Sequence, residues 1–158
     1  MIANCQPLWA CYEPQMTELT LPFLGQERAG WQYPFGSLSR SGAQLCFGSD
    51  WPVSSANPLW EMHTAVNRTV APGYPYAGTG GEEPFLPSER IDLATALAAF
   101  TIGSAYVNHA ELETGSIEVG KQADLVVLDR NLFGRPADEI ALAQVDLTIV
   151  NGAVVHTR

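Results

Sequence analysis

The residue best suited to chemistry in this sequence is Asp50, in the string Gly48-Ser49-Asp50-Trp51-Pro52-Val53. The string follows directly on the apolar run Ala43-Gln44-Leu45-Cys46-Phe47, so Asp50 falls where a buried strand gives way to a loop. A carboxylate there can ligate a divalent metal and take the proton from metal-bound water, whose pKa the metal brings to about 7. On spacing alone, the plainer reading of a single carboxylate is an Asx turn, with the side chain bonded to its own backbone beside Pro52. The histidines are not spaced to join it. His63 falls four residues after Leu59 and three before Val66, on the apolar face of a helix. A buried, hydrogen-bonded imidazole is the expectation there, ahead of a place in a substrate pocket. His109 follows a helix end and suits a capping role, and His156, near the last residue, is assigned none.

Cys5, Cys11 and Cys46 contain no Cys-x-x-Cys pair and no tight Cys/His cluster, which argues against a zinc knuckle and for reduced thiols. Cys46 lies in an apolar run and reads as a small buried side chain. Trp51 and Trp60 flank the Asp50 loop; they either line a pocket for an apolar or aromatic substituent or pack in the core. Arg68 ends the next helix, where a cation complements the helix dipole. Lys121, in Val119-Gly120-Lys121, reads as a solvated turn lysine rather than a catalytic one. Glu82-Glu83 and Asp138-Glu139 read as solvated faces.

Those residues need elements to hold them. A short strand opens the chain and stops at Gln6-Pro7, because proline removes a ladder donor. Residues 13–42 carry Gly25, Gly30, Gly36 and Gly42 and predict short helical turns, the last closed by Gly42 at C′. Asn57 and Pro58 are suited to the N-cap and first position of a helix whose apolar face is Leu59, Met62, Val66 and Val70. Residues 71–87 hold four glycines and four prolines, a composition that predicts a long loop: a lid over the site or a linker. Asp92 caps a helix with the buried stripe Leu93, Leu97 and Phe100, and a second short helix is expected at 104–108. The period then changes: Leu125-Val126-Val127-Leu128 reads as a buried strand, and Asn151-Gly152 between two β-branched runs predicts a type I′ hairpin.

The composition narrows the class. The chain has 158 residues, 17 acidic side chains against 8 basic ones, 46% hydrophobic residues and 16% charged. That balance supports a folded core and offers no basic stripe for nucleic acid. No apolar run reaches the ~18 residues of a membrane span and no basic region precedes an apolar segment, so a cytoplasmic protein is expected. A whole (β/α)8 barrel usually needs ~250 residues, more than are present.

Four strings together are similar to the C-terminal third of amidohydrolase-superfamily enzymes, in particular amidohydrolase family 3 with its N-substituted formamide deformylases. They are the Asp50 string; Ala65-Val66-Asn67-Arg68; Ala98-Ala99-Phe100-Thr101-Ile102-Gly103-Ser104-Ala105; and the run from Gly115-Ser116-Ile117-Glu118 through Ala123-Asp124-Leu125 to Asp129. Cys5-Gln6-Pro7 resembles the Gln-Pro that ends the seventh barrel strand. The resemblance implies an α/β fold: the last two βα units of a TIM-type (β/α)8 barrel over 1–110, then the strands of a composite β-sandwich over 111–158. It implies metal-dependent cleavage of non-peptide carbon–nitrogen bonds of a small-molecule amide, with a divalent metal, zinc foremost, and with Asp50 as metal ligand and general base. The family's His-x-His pair, mid-barrel Lys or Glu and two later histidines have no counterpart, since His63, His109 and His156 all follow Asp50. The chain by itself is therefore expected to hold no catalytic metal and to associate with copies of itself. The alternative is a truncated, catalytically inactive product that folds and self-associates.

Overall fold

The structure is a computed structural model that describes residues 1–78 and 81–158. It is a mixed α/β arrangement with two separate sheets. Strands β1 (Ile2–Cys5) and β2 (Gln44–Phe47) pair in parallel, from Ile2 opposite Gln44 to Cys5 opposite Phe47. Pro7 stops β1 as expected, and a 3-10 turn, Pro7–Trp9, takes over. The crossover back to β2 runs through a π-helical turn (Gln15–Thr20), α1 (Leu21–Leu24), α2 (Gln26–Ala29) and α3 (Phe35–Arg40). Helix α3 ends in a Schellman motif: Gly42, at φ +81°, donates to Ser39 O at 3.0 Å, and Ala43 donates to Leu38 O at 3.1 Å. This delivers the chain directly into β2, whose Leu45, Cys46 and Phe47 are all buried.

Helix α4 (Pro58–Asn67) begins where the cap chemistry places it, with the Asn57 side chain accepting from Leu59 N at 3.0 Å. Asp92 likewise caps α5 (Leu93–Ala98) by accepting from Thr95 N at 2.7 Å. The two helices expected after Asp92 are one continuous run, because a π-helical segment (Ala99–Gly103) joins α5 to α6 (Ser104–Val107). Its deepest residues are Ala96 and Ala99, with Leu93, Leu97 and Phe100 packed around them only partly buried. Small residues let the run lie close on β2; a Cβ at Gly103 would collide with the Leu45 carbonyl. Phe47 meets Phe35 and Phe100 at 5.5 and 5.4 Å between ring centroids, at the centre of the main core.

The second sheet is antiparallel, in the order β3 (Leu125–Leu128), β4 (Val145–Val150), β5 (Ala153–Thr157). Asn151 at φ +48° and Gly152 at φ +77° make the expected type I′ turn. β3 is not the buried strand its apolar run predicts: Val126 and Val127 are 57% and 47% exposed. Consecutive strand residues face opposite sides, so neither face of β3 is fully covered by described residues, and Val126 borders an open cleft against Phe100 and Ala105. Between β3 and β4 the chain returns to the first core, where Leu132, Ile140 and Ala143 are buried and Asn67 Nδ2 donates to Ala137 O at 2.8 Å.

Candidate functional site

The parallel pair β1–β2 directs both of its C-terminal ends to one edge, and a cleft of about 370 Å³ opens there. Gln6, which follows β1, and Asp50, which follows β2, both line it, together with Trp9, Glu13, Gln15 and Tyr33. Asp50 is exposed and has a left-handed backbone, φ +57°. The turn beside Pro52 is made by its backbone, not its carboxylate: the Asp50 carbonyl accepts from Val53 N at 2.8 Å and Ser54 N at 3.4 Å. The carboxylate thus takes part in no hydrogen bond with a described residue, and the Asx-turn alternative does not hold. The loop is closed from below by Ser49, whose Oγ accepts from Trp51 N at 3.2 Å and whose carbonyl accepts from Ser54 Oγ.

Two further carboxylates approach this edge, and neither stood out in the sequence. Glu61, on the first turn of α4, is fully buried. Its Oε2 accepts from Leu8 N at 3.2 Å, tying the turn after β1 to the helix after β2, while its Oε1 has no partner among the described residues. Burial pushes the Glu61 carboxyl up to about 8; the Leu8 hydrogen bond opposes the shift and the Asp50 charge adds to it. Glu61 therefore holds a proton at neutral pH. A signal for it did exist. The ten residues of α4 include a single charged side chain, and a helix with so little polar surface is buried all round, its one charge included. Glu13 is 3% exposed, lines the cleft, and is raised in pKa by burial. It lies in the irregular stretch Tyr12-Glu13-Pro14, where the sequence has no periodicity to mark it.

The remaining candidates have structural positions. His63 is buried; Asn67 Nδ2 donates to its Nδ1 at 3.2 Å, which leaves the proton on Nε2 to be donated to Thr69 Oγ1 at 3.1 Å. Burial brings its imidazole down to about 4 against the pull of Asp138, so it is the neutral core histidine its apolar face implies. His109 closes α6 through its backbone, at φ +57° and with its N–H on Tyr106 O at 3.1 Å, and its ring lies at the surface. His156 is exposed on β5. Trp51 is 69% exposed, and Trp60 packs edge-on to Tyr74 at 5.6 Å; neither lines the cleft.

Two cations differ from their sequence reading. Arg68 is fully buried and does more than meet the α4 dipole: it donates to Phe85 O at 2.8 Å, Tyr33 O at 2.9 Å and Gln32 O at 3.4 Å. Its guanidinium lies between the Phe35 and Phe85 rings at 5.2 and 5.4 Å, and burial lowers it to about 10. Lys121 is not solvated. Its ammonium donates to Glu111 O at 2.6 Å and to Ser116 Oγ, and pairs with Glu118 at 3.4 Å.

The segment 71–87, expected as a lid or linker, is anchored at a few points while most of its described residues are exposed. Tyr74 and Phe85 are buried, Phe85 N donates to Arg68 O at 2.7 Å, and Val70 N donates to Gly81 O at 3.1 Å. Residues 79 and 80 lie outside the described residues, and none of the described ones in this segment lines the Asp50 cleft.

A metal centre is not complete here. Among the described residues there is no group of three or more His, Cys, Asp or Glu arranged to hold an ion, and a catalytic zinc normally takes three protein ligands. Asp50 offers one.

A parallel βαβ unit with a polar, carboxylate-bearing cleft beyond the strand ends is the site layout of α/β enzymes, which bind ligands at the carboxyl ends of their strands. Within that class, the chain belongs to the amidohydrolase family, whose model matches residues 3–156. It is 39% identical over 134 residues to the protein LONG AFTER FAR-RED 3 of Arabidopsis thaliana, covering 84% of this chain and 21% of that one. It is 32% identical over 126 residues to the N-substituted formamide deformylase of Arthrobacter pascens, covering 80% of this chain and 22% of that one. Among solved structures, an uncharacterized metal-dependent hydrolase from Pyrococcus horikoshii OT3 superposes with a TM-score of 0.66 at 28% identity, over 87% of this chain and 26% of the other. The chain spans about a fifth of the length of the curated relatives it matches.

Proposed function

We propose that this chain contributes the Asp50 wall of a metal-dependent hydrolase site that opens a carbon–nitrogen bond of a small-molecule amide. The observation that carries the reading is the position of Asp50, at the C-terminal edge of β2 in a cleft shared with Gln6, within a family match that runs from residue 3 to 156. We read 1–110 as the last two βα units of a (β/α)8 barrel and 111–158 as strands of a composite β-sandwich. The remaining metal ligands then come from another polypeptide segment, with zinc the favoured ion. Asp50 is the general base as well as a ligand: its carboxylate orients the attacking water and takes its proton. The water oxygen bonds to the acyl carbon, the carbon–nitrogen bond breaks, and the amine leaves with the proton Asp50 held. The formamide deformylase relative acts on N-substituted formamides by name, and such amides are the substrate class of choice for a test.

A second reading is supported by Val126, Val127, Val154 and Val155, which are about half exposed on the second sheet. Apolar surface of that kind suits a self-associating protein without catalysis. Elemental analysis and amine release from an N-alkyl formamide test whether the metal centre is shared. The chain alone, supplied with zinc, is expected to hold well under one zinc per chain and to release amine at the rate of zinc alone. One tightly held zinc per chain, with turnover that disappears in Asp50→Ala, would contradict the shared centre.

A further inference from the structure

Glu13 stands apart from every other acid of the chain in its combination of burial and position. It is 3% exposed yet lines the open cleft that holds Asp50. Its backbone is fully employed: the N–H donates to Cys11 O at 3.1 Å, and the carbonyl accepts from Thr17 N at 2.9 Å and Thr17 Oγ1 at 3.1 Å. Its carboxylate takes no hydrogen bond from any described residue. The buried unpartnered side-chain oxygens among the described residues belong to Glu61 and Glu111, so the Glu13 oxygens keep contact with water at the cleft, where a ligand bringing an N–H donor would replace it. None of the other uncharged polar walls, Gln6, Gln15, Thr20 and Tyr33, donates to it, so water or a ligand supplies the donor in this cleft.

We propose that Glu13 is the recognition group for the nitrogen side of the substrate, accepting the amide N–H before cleavage and holding the alkylammonium product after it. Two carboxylates on one 370 Å³ cleft repel an anionic acid product and attract a cation, so the amine is the half that the cleft retains. Glu13 and Asp50 then divide the work. Asp50 faces the water that attacks the acyl carbon, while Glu13 fixes the leaving nitrogen. Trp9, Met16 and Val53 on the same walls offer apolar contact for the alkyl substituent. This inference rests on the hydrolase reading of the Asp50 cleft and adds to it the chemical class of the bound group: an amine or amide bearing an N–H donor on an alkyl carbon.

The test is a ¹H–¹⁵N titration of the full chain with n-butylammonium chloride, and with 1-butanol as the neutral comparison. Expected are shifts at Glu13, Tyr33 and Gln6 with the ammonium only, and nuclear Overhauser contacts from its N-terminal methylene to the Tyr33 ring in the unmodified chain. Glu13→Gln should weaken binding about 10-fold or more, the loss of one charge-assisted hydrogen bond, while Asp50→Asn keeps the Tyr33 contacts. The wild-type contacts keep the test decisive even where Glu13→Gln fails to fold. Equal shifts from butanol, binding lost only in Asp50→Asn, or shifts scattered over Glu82, Glu83 and Asp138 would each overturn the proposal. Broadening of the amides around Asp50 by manganese(II), lost in Asp50→Asn and kept in Glu13→Gln, reads the metal half, so the two readings fail separately.

Discussion

Glu61→Gln isolates a single buried proton. Glu61 is fully buried, with one oxygen on Leu8 N–H and the other unpartnered among the described residues, and burial raises its pKa from an ordinary 4.5 to about 8. Below pH 4.5 the acid is protonated in both folded and unfolded chains. Between 4.5 and 8 the unfolded chain gives up the proton and the folded chain keeps it, so stability falls as pH rises, by about 1.4 kcal/mol per pH step and about 5 kcal/mol in all. His63 works in the opposite direction over another window. Its pKa falls from 6.5 to about 4, so it adds about 3 kcal/mol as pH rises from 4 to 6.5 and nothing above. The two slopes cancel between 4.5 and 6.5, leaving a net loss of about 2 kcal/mol from pH 6.5 to 8 in the wild type. Glutamine reproduces the protonated acid at every pH, and Glu61→Gln should remove that loss and leave the His63 rise. Urea denaturation at half-unit intervals from pH 4 to 9 reads both curves, and the difference between them cancels contributions from Glu13 and other groups. A variant whose stability falls from 6.5 to 8 as steeply as the wild type would refute the reasoning.

Other expectations follow from the same geometry. Arg68→Met removes the donors of three backbone carbonyls and should cost about 3–5 kcal/mol in chemical denaturation; a loss below ~1 kcal/mol would contradict its role as the bolt between α4, Tyr33 and Phe85. Light scattering should report a dimer or larger species, because β1 and β2 pair with each other alone among described strands and the second sheet exposes valines on β3 and β5; a stable 17.1 kDa monomer at high concentration would count against it. In hydrogen exchange the Phe85 and Val70 amides, bonded to Arg68 O and Gly81 O, should outlast those of Gly73 and Gly78 by at least ~10-fold; uniform fast exchange across 70–87 would restore a free lid.

What the sequence disclosed and what it concealed divides along the range of the interaction. Asn57, Asp92, Gly42 and Asn151-Gly152 act on backbone groups within five residues, and each of them does in the structure what its type and spacing dictate. The strand end at Pro7 is local in the same way. Glu13 is silent because its burial depends on a wall built by several elements, and for Glu61 only the near-absence of other charge on α4 hints at a burial whose partner, Leu8, lies 53 residues away. Arg68 likewise draws its acceptors from two separate loops. Lys121 reads as solvated until Glu111 and Ser116 fold over it. β3 fails for the converse reason: an apolar run specifies a strand that can be buried, but burial needs a covering layer, and neither face of β3 is fully covered by described residues. The place of Asp50 after a buried strand is a local signal and legible in the sequence, while the cleft that gives it company is not.

The most direct test of the Asp50 reading is paramagnetic broadening by manganese(II), which detects an oxygen ligand even at a site too incomplete to hold an ion tightly. At substoichiometric Mn²⁺ the amides of Gly48 to Val53, then those of Gln6 and Glu13 across the cleft, should broaden first, and Asp50→Asn should abolish that selectivity. Broadening that begins instead at Glu82-Glu83 or Asp138-Glu139, or that is unchanged in Asp50→Asn, would contradict a metal-ligating role for Asp50.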